Sequence, residues 1–334
     1  MRKKIIITLG PSSMDTNTLR KLKKKKIDLF RINLSHTSLV DLPKVLNKLK
    51  KEKISPICID TEGAQIRTFG VKKKFYKVGQ NILITNSNKK PIKNNTINLY
   101  PKLKMNNFTK GTKILIGFEN LKVEITSSNE QFATARVIDE GIIENNKGVH
   151  IINKDISLLP LTDKDIQCIK IAKKFNIKNF ALSFANDLNS INEIKKYINK
   201  TDKLISKIET KKGFINRKKI VAASNTILID RGDLSRYIPV EKIPVAQKIL
   251  TKECVKQKTE LFIATNLLET MINGKNPTRA ESNDIYNSLV DGASGLVLAA
   301  ETAIGKFPLD CVDFLKKCIK IFSYSKNNKN FLFK

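Results

Sequence analysis

Lys203-Leu204-Ile205-Ser206-Lys207-Ile208-Glu209-Thr210 and, one helix-length later, Thr226-Ile227-Leu228-Ile229-Asp230-Arg231-Gly232-Asp233-Leu234-Ser235 decide the fold class. Each is a short apolar run, rich in β-branched residues, that stops abruptly in charge. Such runs read as parallel strands buried on both faces. Charge gathered at the C-terminal ends of parallel strands is how an α/β barrel builds a site. On a strand Lys207 and Glu209, two residues apart, point to the same side, and Asp233 follows the end of the next strand. Two carboxylates and an ammonium placed together suit a divalent metal and a phosphorylated, anionic substrate.

Working outward, similar runs occupy residues 4–9, 28–34, 55–60, 179–184, 260–265 and 295–299, which makes eight strands with 203–208 and 226–230. Amphipathic segments such as 163–175, 239–257 and 283–291 fill most of the gaps, and a last helix over about 308–322 follows the eighth strand. Eight βα units predict an α/β fold of the (β/α)8 TIM-barrel class over residues 1–69 and 154–325. The alternation breaks between the third and fourth strands. There, 70–153 holds short strand-like pieces at 81–85, 112–116, 122–126 and 131–137, interrupted by Gly, Asn and Lys, and predicts a small inserted β-barrel domain placed as a lid over the active face. Residues 326–334, rich in Lys and Asn, read as a flexible tail.

Composition excludes several classes. The chain has 334 residues, 41% of them hydrophobic, enough for a large core and more than one domain. No stretch approaches the roughly 20 apolar residues of a membrane span. The opening Met1-Arg2-Lys3-Lys4-Ile5-Ile6-Ile7 is too short in its apolar part for a signal peptide and reads as the first strand. Five scattered cysteines with no Cys-x-x-Cys argue against a zinc site and for reduced thiols, hence a cytoplasmic protein. The net charge of +31 is nearly all Lys in a chain crowded with Asn and Ile, a bias that an A+T-rich genome would impose. The lysines are spread over loops and helix faces such as 23–26, without interleaved aromatics, which speaks against a specific nucleic-acid partner and leaves a general attraction for anionic substrates.

The strand-end motifs resemble those of the pyruvate kinase family, in the family's order. They are Ile7-Thr8-Leu9-Gly10-Pro11-Ser12-Ser13, Arg31-Ile32-Asn33-Leu34-Ser35-His36, Asp60-Thr61-Glu62-Gly63-Ala64-Gln65-Ile66-Arg67-Thr68, Ser206-Lys207-Ile208-Glu209, Arg231-Gly232-Asp233-Leu234, Ala264-Thr265-Asn266, Pro277-Thr278-Arg279-Ala280-Glu281 and Glu301-Thr302-Ala303. The resemblance runs over residues 3–322. It implies phosphoryl transfer from phosphoenolpyruvate to ADP through an enolate. It assigns Glu209 and Asp233 to a Mg²⁺ or Mn²⁺ ion, Lys207 to the phosphoryl group and the enolate oxygen, and Arg31 and Arg67 to the phosphoryl group. The Arg231-Gly232-Asp233 amides are expected at the substrate carboxylate, Thr265 beside the enolate carbon, and His36 with Arg31 near the nucleotide. Asn33, Ser35, Asp60 and Thr61 match the family's monovalent-cation ligands, with K⁺ the candidate ion. A homo-oligomer through barrel helices is compatible with the resemblance.

The chain also departs from the family pattern. Asp-Thr-Lys-Gly-Pro-Glu-Ile-Arg becomes Asp60-Thr61-Glu62-Gly63-Ala64-Gln65-Ile66-Arg67, which reverses one charge, loses a hinge proline and leaves K⁺ dependence undecided. Asp230 replaces a small residue, and its carboxylate should weaken an anion site beside it unless it points away. Ser235 replaces a Gly, Asn266 a Gln and Asn186 an Arg. The family's further C-terminal domain has no counterpart, so allosteric control through it is expected to be absent. A sister enzyme with another acceptor or acid, and a catalytically silent paralogue, stand as alternatives.

Overall fold

The computed structural model describes residues 2–86, 95–117, 121–152 and 156–325, so the expected tail at 326–334 lies outside the described residues. The chain divides into two compact units, residues 1–63 with 160–334, and 64–159.

The first unit is a closed eight-stranded parallel barrel. Its strands are Lys4–Leu9, Leu29–Asn33, Ile57–Asp60, Asn179–Leu182, Lys203–Ile208, Thr226–Asp230, Glu260–Ala264 and Gly295–Leu298, neighbours in sequence order, with the eighth pairing back onto the first. Helices connect them, among them Thr16–Lys24, Asp41–Lys51, Asp163–Lys174, Leu188–Lys195, Ile243–Lys256 and Arg279–Asp291, and Pro308–Ser325 follows the last strand. Local chemistry sets the starts of these helices. Asp15, Thr162, Asp187 and Thr278 each accept a backbone N–H of the first turn, and Thr162 and Thr278 form capping boxes with Asp165 and Glu281.

Strand periodicity then separates two cores. Ile5, Ile7, Ile32, Phe180, Ile208, Ile227, Ile229 and Ile263 pack outward against helix residues such as Leu19, Leu46, Ile169 and Leu250. Ile6, Leu29, Cys58, Ala181, Ile205, Leu228, Phe262, Ala264 and Val297, drawn from all eight strands, form the barrel interior. The second pattern positions the site. Two residues beyond Ile6, Leu29, Cys58, Ala181, Ile205 and Leu228 stand Thr8, Arg31, Asp60, Ser183, Lys207 and Asp230, all buried. In these six strands the inward face thus changes from apolar to polar at the C-terminal ends.

The second unit is a closed seven-stranded barrel in the order Phe132–Asp139, Asn81–Thr85, Thr96–Tyr100, Ile66–Phe69, Gly148–Ile151, Lys113–Ile116, Leu121–Ser128. It is inserted between the third and fourth strands of the large barrel and has its own core, including Ile84, Leu99, Phe108, Val123 and Val137. A separate two-stranded sheet joins Lys74–Tyr76 to Gly141–Ile143. The unit begins before residue 70 because Ile66–Phe69 pairs with Thr96–Tyr100 and Gly148–Ile151. All five cysteines are free and buried. Among the described residues, no helix is long and apolar enough to cross a membrane.

Candidate active site

The buried polar residues at the strand ends form one network. Asp60, fully buried, accepts from Arg31 Nε at 2.7 Å and lies 2.6 Å from its Nη2. Arg31 Nη1 also donates to Thr8 Oγ1 at 3.0 Å. Lys207 Nζ stands 3.3 Å from Asp60 Oδ2 and 2.8 Å from Glu209 Oε1, and donates to Ser183 Oγ at 3.0 Å. Glu209 Oε2 accepts the Phe184 N–H at 2.7 Å. A lysine at a strand end could instead have reached into water along its stem. Lys207 is only 4% exposed and spends its charge inside.

The charges condition one another. Burial works against the Lys207 ammonium, but Asp60 and Glu209 more than offset it and hold its pKa above the ordinary lysine value. Burial opposes the Arg31 charge too, and Asp60, then Asp230, raise it above its usual value. Burial alone would push the Asp60 carboxyl up, yet Arg31 and Lys207 hold it below the ordinary range. Glu209 goes the other way. Its burial, with Asp233 and Asp230 nearby, pushes it up to about 8 despite the favourable Lys207.

Glu209, Asp230 and Asp233 each offer a carboxylate oxygen, and these oxygens lie within 4.8 Å of one another. Oxygens on opposite sides of a Mg²⁺ ion, each about 2.1 Å from it, stand about 4.2 Å apart. The bound on the set's spacing is close to that distance, and its donors have the hard, all-oxygen chemistry that a divalent cation requires. Glu209 Oε1, buried, has the Lys207 ammonium 2.8 Å away and no further hydrogen-bond partner among the described residues. The sequence assigned Glu209 and Asp233 to this set, and the structure adds Asp230.

The turn after the sixth strand is tied to the end of the seventh. Thr265 Oγ1 accepts the Gly232 N–H at 2.9 Å and donates to Ala264 O at 2.6 Å. The Asp233 N–H points to Asp230 Oδ1 at 3.4 Å. The Arg231 guanidinium donates to Thr265 O at 2.6 Å and to Asp284 Oδ2 at 2.7 Å. Backbone groups of the 231–233 turn are thus held by the protein's own side chains, and Arg231 orients the Thr265 loop. Thr265 sits at φ +70 and Phe184 at φ +53, left-handed conformations that side-chain-bearing residues adopt rarely and that cluster at functional sites.

The remaining sequence-assigned residues lie at various positions. Asn33 Oδ1 accepts the Ser35 N–H at 2.9 Å, and His36, exposed, closes the same turn with its N–H to Asn33 O at 3.1 Å. Thr61 accepts from Ser183 through both its hydroxyl and its carbonyl, at 3.0 and 2.7 Å. Arg67 belongs to the small barrel, where its Nη1 donates to Asn146 O at 3.2 Å. Glu62 is buried, with Oε1 3.8 Å from Lys164 Nζ, so the reversed charge at this position has a cation beside it.

Several contributors went unread in the sequence. Ser183 bridges Lys207 and Thr61, and Asp165 accepts the Glu62 and Gly63 N–H groups at 2.7 and 3.0 Å. Gly63 has φ +75, and a Cβ there would fall 2.7 Å from that of Ser183, so only glycine fits this turn. Asp284 holds Arg231. The small polar signal of Ser183, two residues after interior Ala181, could have been found by strand periodicity. Two quoted motifs prove to be loop anchors. Glu281 accepts from Thr270 and Thr278, and Glu301 accepts the Leu268 and Ala299 N–H groups.

The barrel-domain model of the pyruvate kinases matches residues 1–312. A pyruvate kinase of Thermotoga maritima is 33% identical over 328 residues, covering 95% of this chain and 70% of its own length. One of Methanocaldococcus jannaschii is 34% identical over 329 residues, covering 96% and 70%. One of Borreliella burgdorferi is 30% identical over 340 residues, covering 99% and 70%. A barrel that carries these strand-end residues, matched along nearly its whole length by such relatives, belongs to the pyruvate kinase family of phosphotransferases.

Proposed function

We propose that the protein transfers the phosphoryl group of phosphoenolpyruvate to ADP, giving pyruvate and ATP, through an enolate intermediate. The single observation that carries this reading is the buried Arg31–Asp60–Lys207–Glu209 network beside a three-carboxylate cluster, in a chain of this family. Lys207 and Arg31 are fixed positive charges, preset by buried carboxylates, that meet negative charge developing on the phosphoryl group and on the enolate oxygen. Preorganised charge of this kind lowers a barrier because nothing has to reorient as the reaction proceeds. Thr265, held by the Gly232 amide, is assigned to proton delivery at the enolate carbon. Glu209 and Asp233 would hold Mg²⁺ or Mn²⁺, which would supply further charge neutralisation among the phosphate and acid oxygens. Arg67 and His36 are assigned to the phosphoryl and nucleotide side. Asn33, Ser35, Asp60 and Thr61 are assigned to a monovalent cation, with Asp60 shared between that role and its two cationic partners. A cytoplasmic enzyme acting on small anionic substrates fits the composition.

The enolate half of the reaction has its own test. With pyruvate, Mg²⁺ and ATP in D2O, the methyl proton signal of pyruvate is expected to decay by exchange. A methyl signal that persists with folded, cation-loaded protein would overturn the enolate assignment. Exchange without any ADP-dependent turnover would favour an acceptor other than ADP.

Cation binding should also be visible as stability. Burial, with Asp233 and Asp230 nearby, pushes the Glu209 carboxyl up to about 8 from an ordinary value of 4.5. A carboxyl raised in this way is at its most favourable below the ordinary value, and that benefit is lost as pH rises through the folded value. The metal-free protein should therefore lose melting temperature between about pH 5 and 8.5. Mg²⁺ should raise it more at pH 8.5 than at pH 6, because the cation must displace a proton at the lower pH. Glu209→Gln should flatten the pH dependence of the Mg²⁺ effect, as read by differential scanning fluorimetry. An equal Mg²⁺ shift in both proteins at both pH values would place the cation elsewhere.

A further inference from the structure

Asp230 lies on the inward face of the sixth strand, two residues beyond interior Leu228. It is 6% exposed, and an oxygen of its carboxylate lies within 4.8 Å of those of Glu209 and Asp233. The sequence left open whether it points away from the site, and strand geometry settles that it does not. Its Oδ1 receives the Asp233 N–H at 3.4 Å, which fixes the side chain toward Asp233. The neighbouring Glu209 Oε1 is buried and has the Lys207 ammonium 2.8 Å away on one side, with no further hydrogen-bond partner among the described residues. A carboxyl oxygen with one partner keeps unused coordination capacity in a region water barely reaches.

Resting on the divalent-cation reading above, we propose that Asp230 is a third carboxylate ligand of that cation, and that it weakens the share of substrate binding that comes from a carboxylate at the cation. Hard divalent cations are held more tightly as the number of ligand charges rises. Two carboxylates neutralise a divalent ion, and a third leaves the complex with one excess negative charge. An acid that approaches through its own carboxylate then meets like charge, and the protein takes one more of the six coordination positions, three in all. The chain should therefore bind bare Mn²⁺ tightly and oxalate, a dianionic chelator that resembles an enolate, weakly. Its substrate preference should move toward acids whose affinity comes from the phosphoryl group, which Arg31 and Lys207 face, rather than from the carboxylate.

Mn²⁺ binding to the metal-free, full-length protein is measured by calorimetry and by electron paramagnetic resonance, followed by oxalate titration of the Mn²⁺-loaded forms. The wild type is compared with Asp230→Asn, Asp230→Ala and Glu209→Gln. Asp230→Asn keeps an oxygen to receive the Asp233 N–H, so it preserves the turn while removing the charge. Both Asp230 variants are expected to lose about tenfold or more in Mn²⁺ affinity and to bind oxalate several-fold more tightly once loaded. If Glu209→Gln loses Mn²⁺ while both Asp230 variants bind like wild type, the cation site stands and Asp230 is not its ligand. If Asp230→Ala loses affinity and Asp230→Asn keeps it, Asp230 only props the turn, and the proposal falls. Wild-type Mn²⁺ affinity in all three variants would remove the cation reading itself, and the proposal with it.

Discussion

Lys207→Met is expected to lower ADP-dependent turnover by about 10³-fold or more while leaving the barrel folded. Lys207 contributes an ammonium that cannot relax into solvent, being 4% exposed and bound to Asp60, Glu209 and Ser183. Methionine keeps most of the side-chain length and loses the charge where the transferring group and the enolate need it. Removing one member of a buried ion pair often costs about 3–5 kcal/mol because the other is left uncompensated. Here the two carboxylates have ways out. Asp60 keeps Arg31 at 2.6 Å, and Glu209, already pushed up to about 8, can take a proton. Circular dichroism and a thermal melt should show a folded protein with a modest loss of stability. Turnover within tenfold of wild type would sink the assignment of Lys207.

Asp60→Asn should produce the largest loss of stability among the site variants, about 3–5 kcal/mol by urea denaturation. Asp60 is fully buried and holds two cations, Arg31 and Lys207, that are themselves at most 5% exposed. The amide keeps the shape and removes the charge that offsets them both. The same logic gives a pH dependence. The Asp60 carboxyl is held below its ordinary value, so its contribution is complete above about pH 4 and is lost as pH falls through the lower, folded value. Wild type should accordingly lose stability in acid more steeply than Asp60→Asn. Equal denaturation midpoints for the two proteins at neutral pH would mean that the cations find other partners.

The eight barrel strands were legible because a parallel strand buried on both faces must be apolar at every position, and such runs stand out between amphipathic helices. The gathering of Lys207, Glu209 and Asp233 at neighbouring strand ends was legible because charge has few reasons to end a buried strand. The small barrel was only half legible. The strands Ile66–Phe69, Thr96–Tyr100 and Gly148–Ile151 are four or five residues long, too short to show a period, and they acquire meaning from the partners they pair with. Ile66–Phe69 also lay within a motif read as part of the barrel loop, which displaced the expected boundary.

Asp165 and Asp284 were hidden for a different reason. Asp165 joins residues about a hundred positions apart, and Asp284 meets Arg231 across 53 positions, so no local pattern announces either. Asp230 is the instructive case. As a departure in a motif it looked like damage to an anion site. As an inward residue one pleat beyond Leu228, it is placed by the same periodicity as Lys207, and joins the carboxylates that a cation would bind.

Pyruvate release measured in a coupled assay with phosphoenolpyruvate, ADP and Mg²⁺, with and without K⁺, tests the central claim most directly. Turnover that requires both ADP and Mg²⁺ is the predicted result, and its change on adding K⁺ would report on the monovalent set around Asn33, Ser35, Asp60 and Thr61. Absence of ADP-dependent pyruvate release, from protein shown to be folded and to bind Mn²⁺, would contradict it.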